Sequence, residues 1–404
     1  MRRTVLLCLL TLHGFTAAFA ETAPAAEDPQ TRLERYLEQV FTAMDENYYM
    51  PVSRAVFQKF VEVYPAAKLI LINEQSKQTE DFVHLGGGLL VSKLKNPNDR
   101  FTNLIPPKKI KAFKEEAYAV TVDLGLEGKK SAAGFELTRV QKHSDAYIEE
   151  GIRAGDTVVR INSKAAADMT EEEILKALQS ELGMRTALEV FFKSSGETRA
   201  IELESKSYFK ETVFPLATER EGTLALQVAH FNQMTTPDFL EALKAYDMSR
   251  IRHLIIDLRD NTGGPPLAAR ELSAFFTPDK DALFFIVRKN KSPVLLDAPV
   301  SADKYNGPIT VLVNAKTGSA AETFSGVLQA KKRAEVVGQK TAGGAYLKSI
   351  YDFEDGSAIY MVTSRTFFHD RSVFPDDGIT PNTLIPDTEN ALDFVLGRNP
   401  AQPR

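Results

Sequence analysis

Hydrophobic positions recur along this chain with three successive rhythms. From Thr31, "TRLERYLEQVFTAMDENYYM" sets Leu33, Tyr36, Leu37, Val40, Phe41 and Met44 on one stripe, the spacing of an amphipathic helix. Helical segments are expected to continue to about Lys93, where "KNPNDRFTNLIPP" breaks the pattern with Asn and Pro. Between about 117 and 208 the period shortens to two. "AYAVTVDLGLEG", "GFELTRV", "DTVVRINS" and "ALEVFFKS" read as strands. "TEEEILKALQSELG" separates the last two as a helix, with Thr170 as cap, Glu173 completing a capping box and Gly183 as stop. A short helix is also expected over 144–150.

From 222 to about 386 the chain alternates strand and helix. The strands are "TLALQVAHF", "HLIIDL", "ITVLVN" and "AEVVG", and the helices "PDFLEALKAYD", "PPLAARELSAFF" and "SAAETFSGVLQAKK". The unbroken apolar runs suit strands buried on both faces. A βαβ progression predicts a largely parallel sheet with its chemistry at the carboxyl ends of the strands. "SIYDFEDGSAIYMVTSRTFF" predicts a hairpin turning at Asp355-Gly356.

The first twenty residues, "MRRTVLLCLLTLHGFTAAFA", combine two arginines, an apolar run and an A-x-A ending, the anatomy of a cleaved secretory signal. Its removal leaves 47 basic against 54 acidic residues and no cysteine, because Cys8 leaves with it. An exported, cysteine-free chain suits a bacterial periplasm or the extracellular space. Its mild acidity argues against nucleic acid as a partner. No cofactor motif, metal cluster or membrane-spanning segment of the mature chain is evident in the sequence. The expected division is a signal over 1–20, a disordered leader over 21–30, a helical region over 31–115, a strand-rich unit over 116–208, an α/β core over 209–390 and a tail over 391–404.

Two loops follow buried strands on one sheet edge, "RDNTGGP" and "AKTGSAAE". Gly263 and Gly264 leave backbone amides unshielded, and Ser319 opens a helix, so the Ala320 amide faces outward. Such donors can converge on an oxyanion beside a nucleophilic hydroxyl. The plainer alternative makes Ser319 a helix cap and the glycines a tight turn.

"GIRAGDTVVRINSK" resembles a PDZ domain, a fold that binds peptide C-termini as an added strand. "DLRDNTGG", "VLVNAKTGSAAETFSGVLQ", "VVGQKTAGG" and "DDGITPN" together resemble the C-terminal processing, or tail-specific, serine peptidases. That resemblance implies a ClpP/crotonase-like βαβ core with an inserted PDZ-like domain and an N-terminal helical segment. It makes Ser319 the nucleophile, Gly263, Gly264 and Ala320 the oxyanion hole, and Glu322, Asp260 and Thr102 supporting residues. Protein or peptide C-termini would be the partners.

The family's two known bases are missing. The lysine position is Gly344, twenty-five residues beyond Ser319. "KTAGGAY" resembles instead the tricorn and interphotoreceptor retinoid-binding branch, whose peptidases use a histidine where this chain has Phe101. Lys348 is the candidate replacement, since a desolvated lysine can act as a base. Lys340 is expected at the surface, His230 is a weaker candidate at a strand end, and His369-Asp370 falls outside the site. The reading favoured is a serine peptidase. The alternative is an inactive peptide- or apolar-ligand-binding protein on the same scaffold.

Overall fold

The computed structural model describes residues 27–76, 81–301, 304–344 and 346–397. The predicted signal, and the leader up to residue 26, lie outside the described residues.

Among the described residues four helices come first: α1 (Pro29–Asn47), α2 (Arg54–Val63), α3 (Ala66–Gln75) and α4 (Phe82–Leu94). The apolar stripe of α1 is buried as its spacing predicts, and Asp28 caps the helix by accepting from the Thr31 amide. This bundle does not close on itself. Its core includes Ile359, Met361 and Val362 from the far end of the chain. The strand β1 (Asn103–Ile105) and the helix α5 (Pro107–Tyr118) follow. No residue of α5 is fully buried; its short apolar stripe, Ile110, Phe113 and Ala117, is only half-buried. Ala119, in the left-handed region at φ 48°, ends this helix inside the stretch expected to be strand.

The next unit contains β2 (Val120–Asp123), β3 (Leu126–Ser131), β4 (Gly134–Val140), α6 (Asp145–Ile148), β5 (Thr157–Ile161), β6 (Lys164–Ala165), α7 (Glu171–Leu178), β7 (Arg185–Phe192), β8 (Glu197–Glu204) and β9 (Lys206–Phe209). Strands β3-β4-β5-β7-β8 form one sheet, and β2 pairs with β9 to close the unit's two ends. Thr170 and Glu173 form the expected capping box of α7. The helix stops at Leu178, short of Gly183. Beyond it the Ser180 hydroxyl turns inward to a hydrogen bond with Ser205. Gly183 instead provides a turn at φ 82°.

The remaining elements are β10 (Val213–Leu216), β11 (Thr223–Val228), α8 (Thr235–Lys244), β12 (His253–Asp257), α9 (Pro266–Ala274), β13 (Ala282–Arg288), β14 (Val294–Asp297), β15 (Ile309–Val313), α10 (Ala320–Ala330), β16 (Glu335–Gly338), β17 (Tyr346–Asp352), β18 (Ala358–Phe368), β19 (Thr383–Leu384) and α11 (Ala391–Gly397). They make a mixed α/β fold. The main sheet runs β10-β11-β12-β15-β16-β19, parallel from β11 onward with β10 antiparallel. Its strands are apolar throughout because both faces are covered. Leu254, Ile256 and Val311 join α8, α9 and α10 on one side. Ile255, Leu312 and Val337 meet Ala391 and Val395 of α11 on the other, so the expected tail begins as a docked helix.

A second sheet runs β1-β18-β13-β14, with β17 on the other edge of β18. The β17–β18 pair is the expected hairpin. Its register slips between Leu347 and Lys348, where Leu347 faces Ser364 and Lys348 faces Val362. The extra residue, Thr363, lies on β18, so the bulge sits in the strand that faces Lys348.

Candidate active site

Three loops at the carboxyl end of the main sheet are tied together by buried polar groups. Asn261 donates from Nδ2 to the Val228 carbonyl at 2.6 Å and accepts the Gly263 amide on Oδ1 at 2.8 Å. Its own carbonyl accepts the Gly318 amide at 2.9 Å. Thr317 donates its hydroxyl to the Leu258 carbonyl at 2.8 Å, and its carbonyl accepts the Ala342 amide at 2.8 Å. The segments following β12, β15 and β16 therefore hold one another in register.

Ser319 sits where these loops meet, at φ 53° and ψ −118°. A residue with a β-carbon is held there at a cost of about 1–3 kcal/mol, and such strain collects at functional sites. Gly263 makes room for it. A β-carbon on Gly263 would lie 2.7 Å from Ser319 Cβ and 2.8 Å from the Ala320 nitrogen. Gly264 presses against the Phe231 carbonyl, where a β-carbon would come within 2.0 Å. Ser319, Ala320 and Gly264 line one cavity of about 460 Å3. Neither the Gly264 nor the Ala320 amide donates to another group among the described residues. Both remain available to a negative oxygen at the mouth of α10, where the helix dipole adds to the attraction.

Glu322, 1% exposed, lies one turn into α10. Its carboxylate accepts the Ser319 amide at 2.8 Å, the Thr341 hydroxyl at 2.6 Å and the Gly343 amide at 2.7 Å. Burial pushes its pKa up, while these donors and the nearby Lys348 ammonium oppose the rise. The residue fixes the backbone of the nucleophile and couples it to the 341–344 loop.

Lys348, on β17, lines the same cavity. Burial pulls its pKa down from 10.5 to about 8, against the Glu322 and Asp99 charges that favour the ammonium; Arg100 adds to the fall. The Lys348 Nζ stands 4.1 Å from the centroid of the Phe101 ring. That ring also fills the space beside Gly344, where a β-carbon would lie 2.4 Å from Phe101 Cζ. The two positions at which the sequence lacks a familiar base are thus packed against each other, with Lys348 above the ring.

The other expected site residues fall in different places. Gly263 contributes its missing side chain and not its amide, which is engaged by Asn261. Thr102 does not line the cavity. It is 0% exposed; its hydroxyl donates to Asp99 at 2.5 Å and accepts the Val362 amide at 3.1 Å. It therefore fixes the Phe101 loop to β18. Asp260, also off the cavity, bonds Asn314 at 3.1 Å and pairs with Lys316 at 3.2 Å, bracing the loop that leads to Ser319. Lys340 pairs with Asp377 at the surface. The Asp370 carboxylate closes a local turn with Ser372, away from the cavity.

His230 does line the cavity. Its buried Nε2 has no hydrogen-bond partner among the described residues, and burial lowers its pKa. Its charged neighbours are Glu116 and Lys210, whereas Lys348 faces Glu322, the residue bound to the Ser319 amide. Sequence reasoning missed Asn261 and Thr317, whose Asn and Thr identities after buried strands were the available signal. It also missed the end of α5, which brings Glu116, Ala117 and Tyr118 to the cavity wall. Among the described residues no His, Cys, Asp or Glu group is arranged to hold a metal ion, and no helix is long and apolar enough to cross a membrane.

Residues 222–385 match the sequence profile of peptidase family S41. The "Probable CtpA-like serine protease" of Staphylococcus saprophyticus is 22% identical over 390 residues, 94% of this chain and 72% of that one. The chloroplastic "Carboxyl-terminal-processing peptidase 2" of Arabidopsis thaliana is 26% identical over 303 residues, 72% of this chain and 58% of that one. A solved structure from Bacteroides fragilis, described as an S41 protease, superposes with a TM-score of 0.51 at 14% identity, over 94% of this chain and 98% of that one. At that identity the likeness concerns the fold alone.

Proposed function

We propose that this chain, a serine-type peptidase by its match to family S41, cuts peptide bonds with Ser319 as nucleophile and Lys348 as general base. The observation that carries this reading is a single cavity walled by a backbone-strained serine, two unengaged amides and a desolvated lysine. Neutral Lys348 takes the hydroxyl proton as Ser319 Oγ attacks the scissile carbonyl. The oxygen gains negative charge facing the Gly264 and Ala320 amides. The Lys348 ammonium then returns the proton to the departing amine, leaving an ester on Ser319. Water activated by the same amine releases the acyl group. With a pKa of about 8, about one tenth of the lysine is neutral at pH 7, a workable fraction for a base.

The substrates we propose are polypeptides cut near their C-termini, as the name of the Arabidopsis relative suggests. The unit over 116–208 would act as a PDZ-like receptor that binds the terminal carboxylate. The pattern of residues 1–20 supports export to the periplasm or the extracellular space.

A fluorophosphonate probe tests the assignment on the mature protein. Wild type and a His230→Asn variant should label at Ser319, and Ser319→Ala should not. Labelling that survives in Ser319→Ala, or its absence from a folded wild type, would remove the nucleophile from the account.

A further inference from the structure

We infer that Phe101 is a positioning residue, whose ring face holds the Lys348 amine in the Ser319 cavity and whose seat is opened by the missing side chain of Gly344. The inference deepens the proposed reaction and rests on Lys348 as its base.

The geometry places the ring under control from three sides. The Phe101 amide donates to Asp99 at 2.8 Å, and the same carboxylate receives the Thr102 amide at 3.0 Å and the Tyr48 hydroxyl at 2.8 Å. Arg100 reaches across to the Ala342 carbonyl and, at 3.1 Å, to the Gly343 carbonyl. The Gly343 amide in turn binds Glu322, whose other oxygen holds the Ser319 amide. A continuous set of contacts thus runs from the nucleophile, through Glu322 and the 342–343 loop, to the ring beneath the amine. Gly344, at φ 90°, is the glycine of that loop at which a β-carbon would meet the ring, at 2.4 and 2.5 Å.

A ring face suits a general base better than a carboxylate would. It attracts the ammonium but accepts no directed hydrogen bond of comparable strength, so the amine stays free to point its lone pair at Ser319. The attraction grows as the lysine gains its proton, the moment at which the charge must be accommodated. Glu322, Asp99 and Arg100 face the amine from the neighbouring elements, and Glu116, His230 and Arg288 line the rest of the cavity. The ring lies against the nitrogen itself, its centroid 4.1 Å from Nζ.

The test is peptide-resolved acetylation of Lys348 across pH, on the mature full-length protein, with acetic anhydride as the probe. This reads the amine's titration whether or not the protein is catalytic. Phe101→Leu should move the midpoint down by about 0.5–1 pH unit, the loss of a buried cation–ring contact. Phe101→Tyr, which keeps a ring, should restore it. Gly344→Ala, which keeps Phe101 but displaces its ring, should reproduce the shift and guards against a folding defect in the leucine variant. A midpoint that stays in place or rises in both Phe101→Leu and Gly344→Ala overturns the inference. A downward shift in a wild-type background that never labels at Ser319 would uphold the contact and reject the peptidase reading, so the two failures are separable.

Discussion

Replacing Lys348 with methionine should stabilise the protein at neutral pH while abolishing its reaction. Burial lowers the pKa of this lysine from 10.5 to about 8, so below pH 8 the folded state carries an ammonium that water would hold more favourably. The unfolded chain binds the proton up to about pH 10.5, the folded chain only to about pH 8. Between those values the unfolded state holds more protons, and stability rises with pH; below pH 8 the penalty is constant. A shift of about two and a half units corresponds to a ceiling of about 3 kcal/mol. Methionine matches the length of the stem, but loses the attraction to the Phe101 ring, roughly 0.5–2 kcal/mol. A net gain of about 1–2 kcal/mol at pH 7 follows. Urea unfolding of both proteins at pH 7 and pH 10 measures it. The gain should be clear at pH 7 and smaller, below about 1 kcal/mol, at pH 10, where most of the ammonium penalty is gone. A gain equal at both values, or a loss at pH 7, would refute the claim that a strained ammonium is buried there.

Gly263→Ala should place a methyl group against Ser319 Cβ and the Ala320 amide, adding backbone strain at φ 107°. We expect a loss of about 2–4 kcal/mol in urea unfolding and a roughly 100- to 1000-fold slower labelling of Ser319 as the oxyanion donor is blocked; wild-type labelling would contradict this. Glu322→Gln must aim its amide group at one of three buried donors, a mismatch of about 1–3 kcal/mol. The lost carboxylate charge should also bring the Lys348 midpoint below its wild-type value, read by the same acetylation experiment. An unchanged stability and midpoint would show that Glu322 does not couple the two residues.

The nucleophile end of the site was legible because its signals are local. Ser319, Ala320 and Gly264 each follow a buried parallel strand, and the apolar runs of β12 and β15 announce such strands directly. Glu322 was expected only through the resemblance to the serine peptidases. Of the second sheet only the β17–β18 hairpin was legible; the rest was not, because it pairs β1 near residue 104 with β18 near residue 359, and alternation within a strand does not encode its distant partner. Helix α5 escaped because no buried stripe marks it. The sequence showed Phe101 and Gly344 only as two missing bases. Their mutual packing, and the lysine placed over the ring, join segments more than 240 residues apart in the chain, which no local pattern signals.

The pH dependence of Ser319 labelling bears most directly on the central claim, that Lys348 activates this serine where the familiar bases are gone. In wild type the labelling rate should climb through a single inflection near pH 8, and Lys348→Met should abolish labelling across the range while the protein stays folded. A Lys348→Met protein that labels with the wild-type inflection would contradict it.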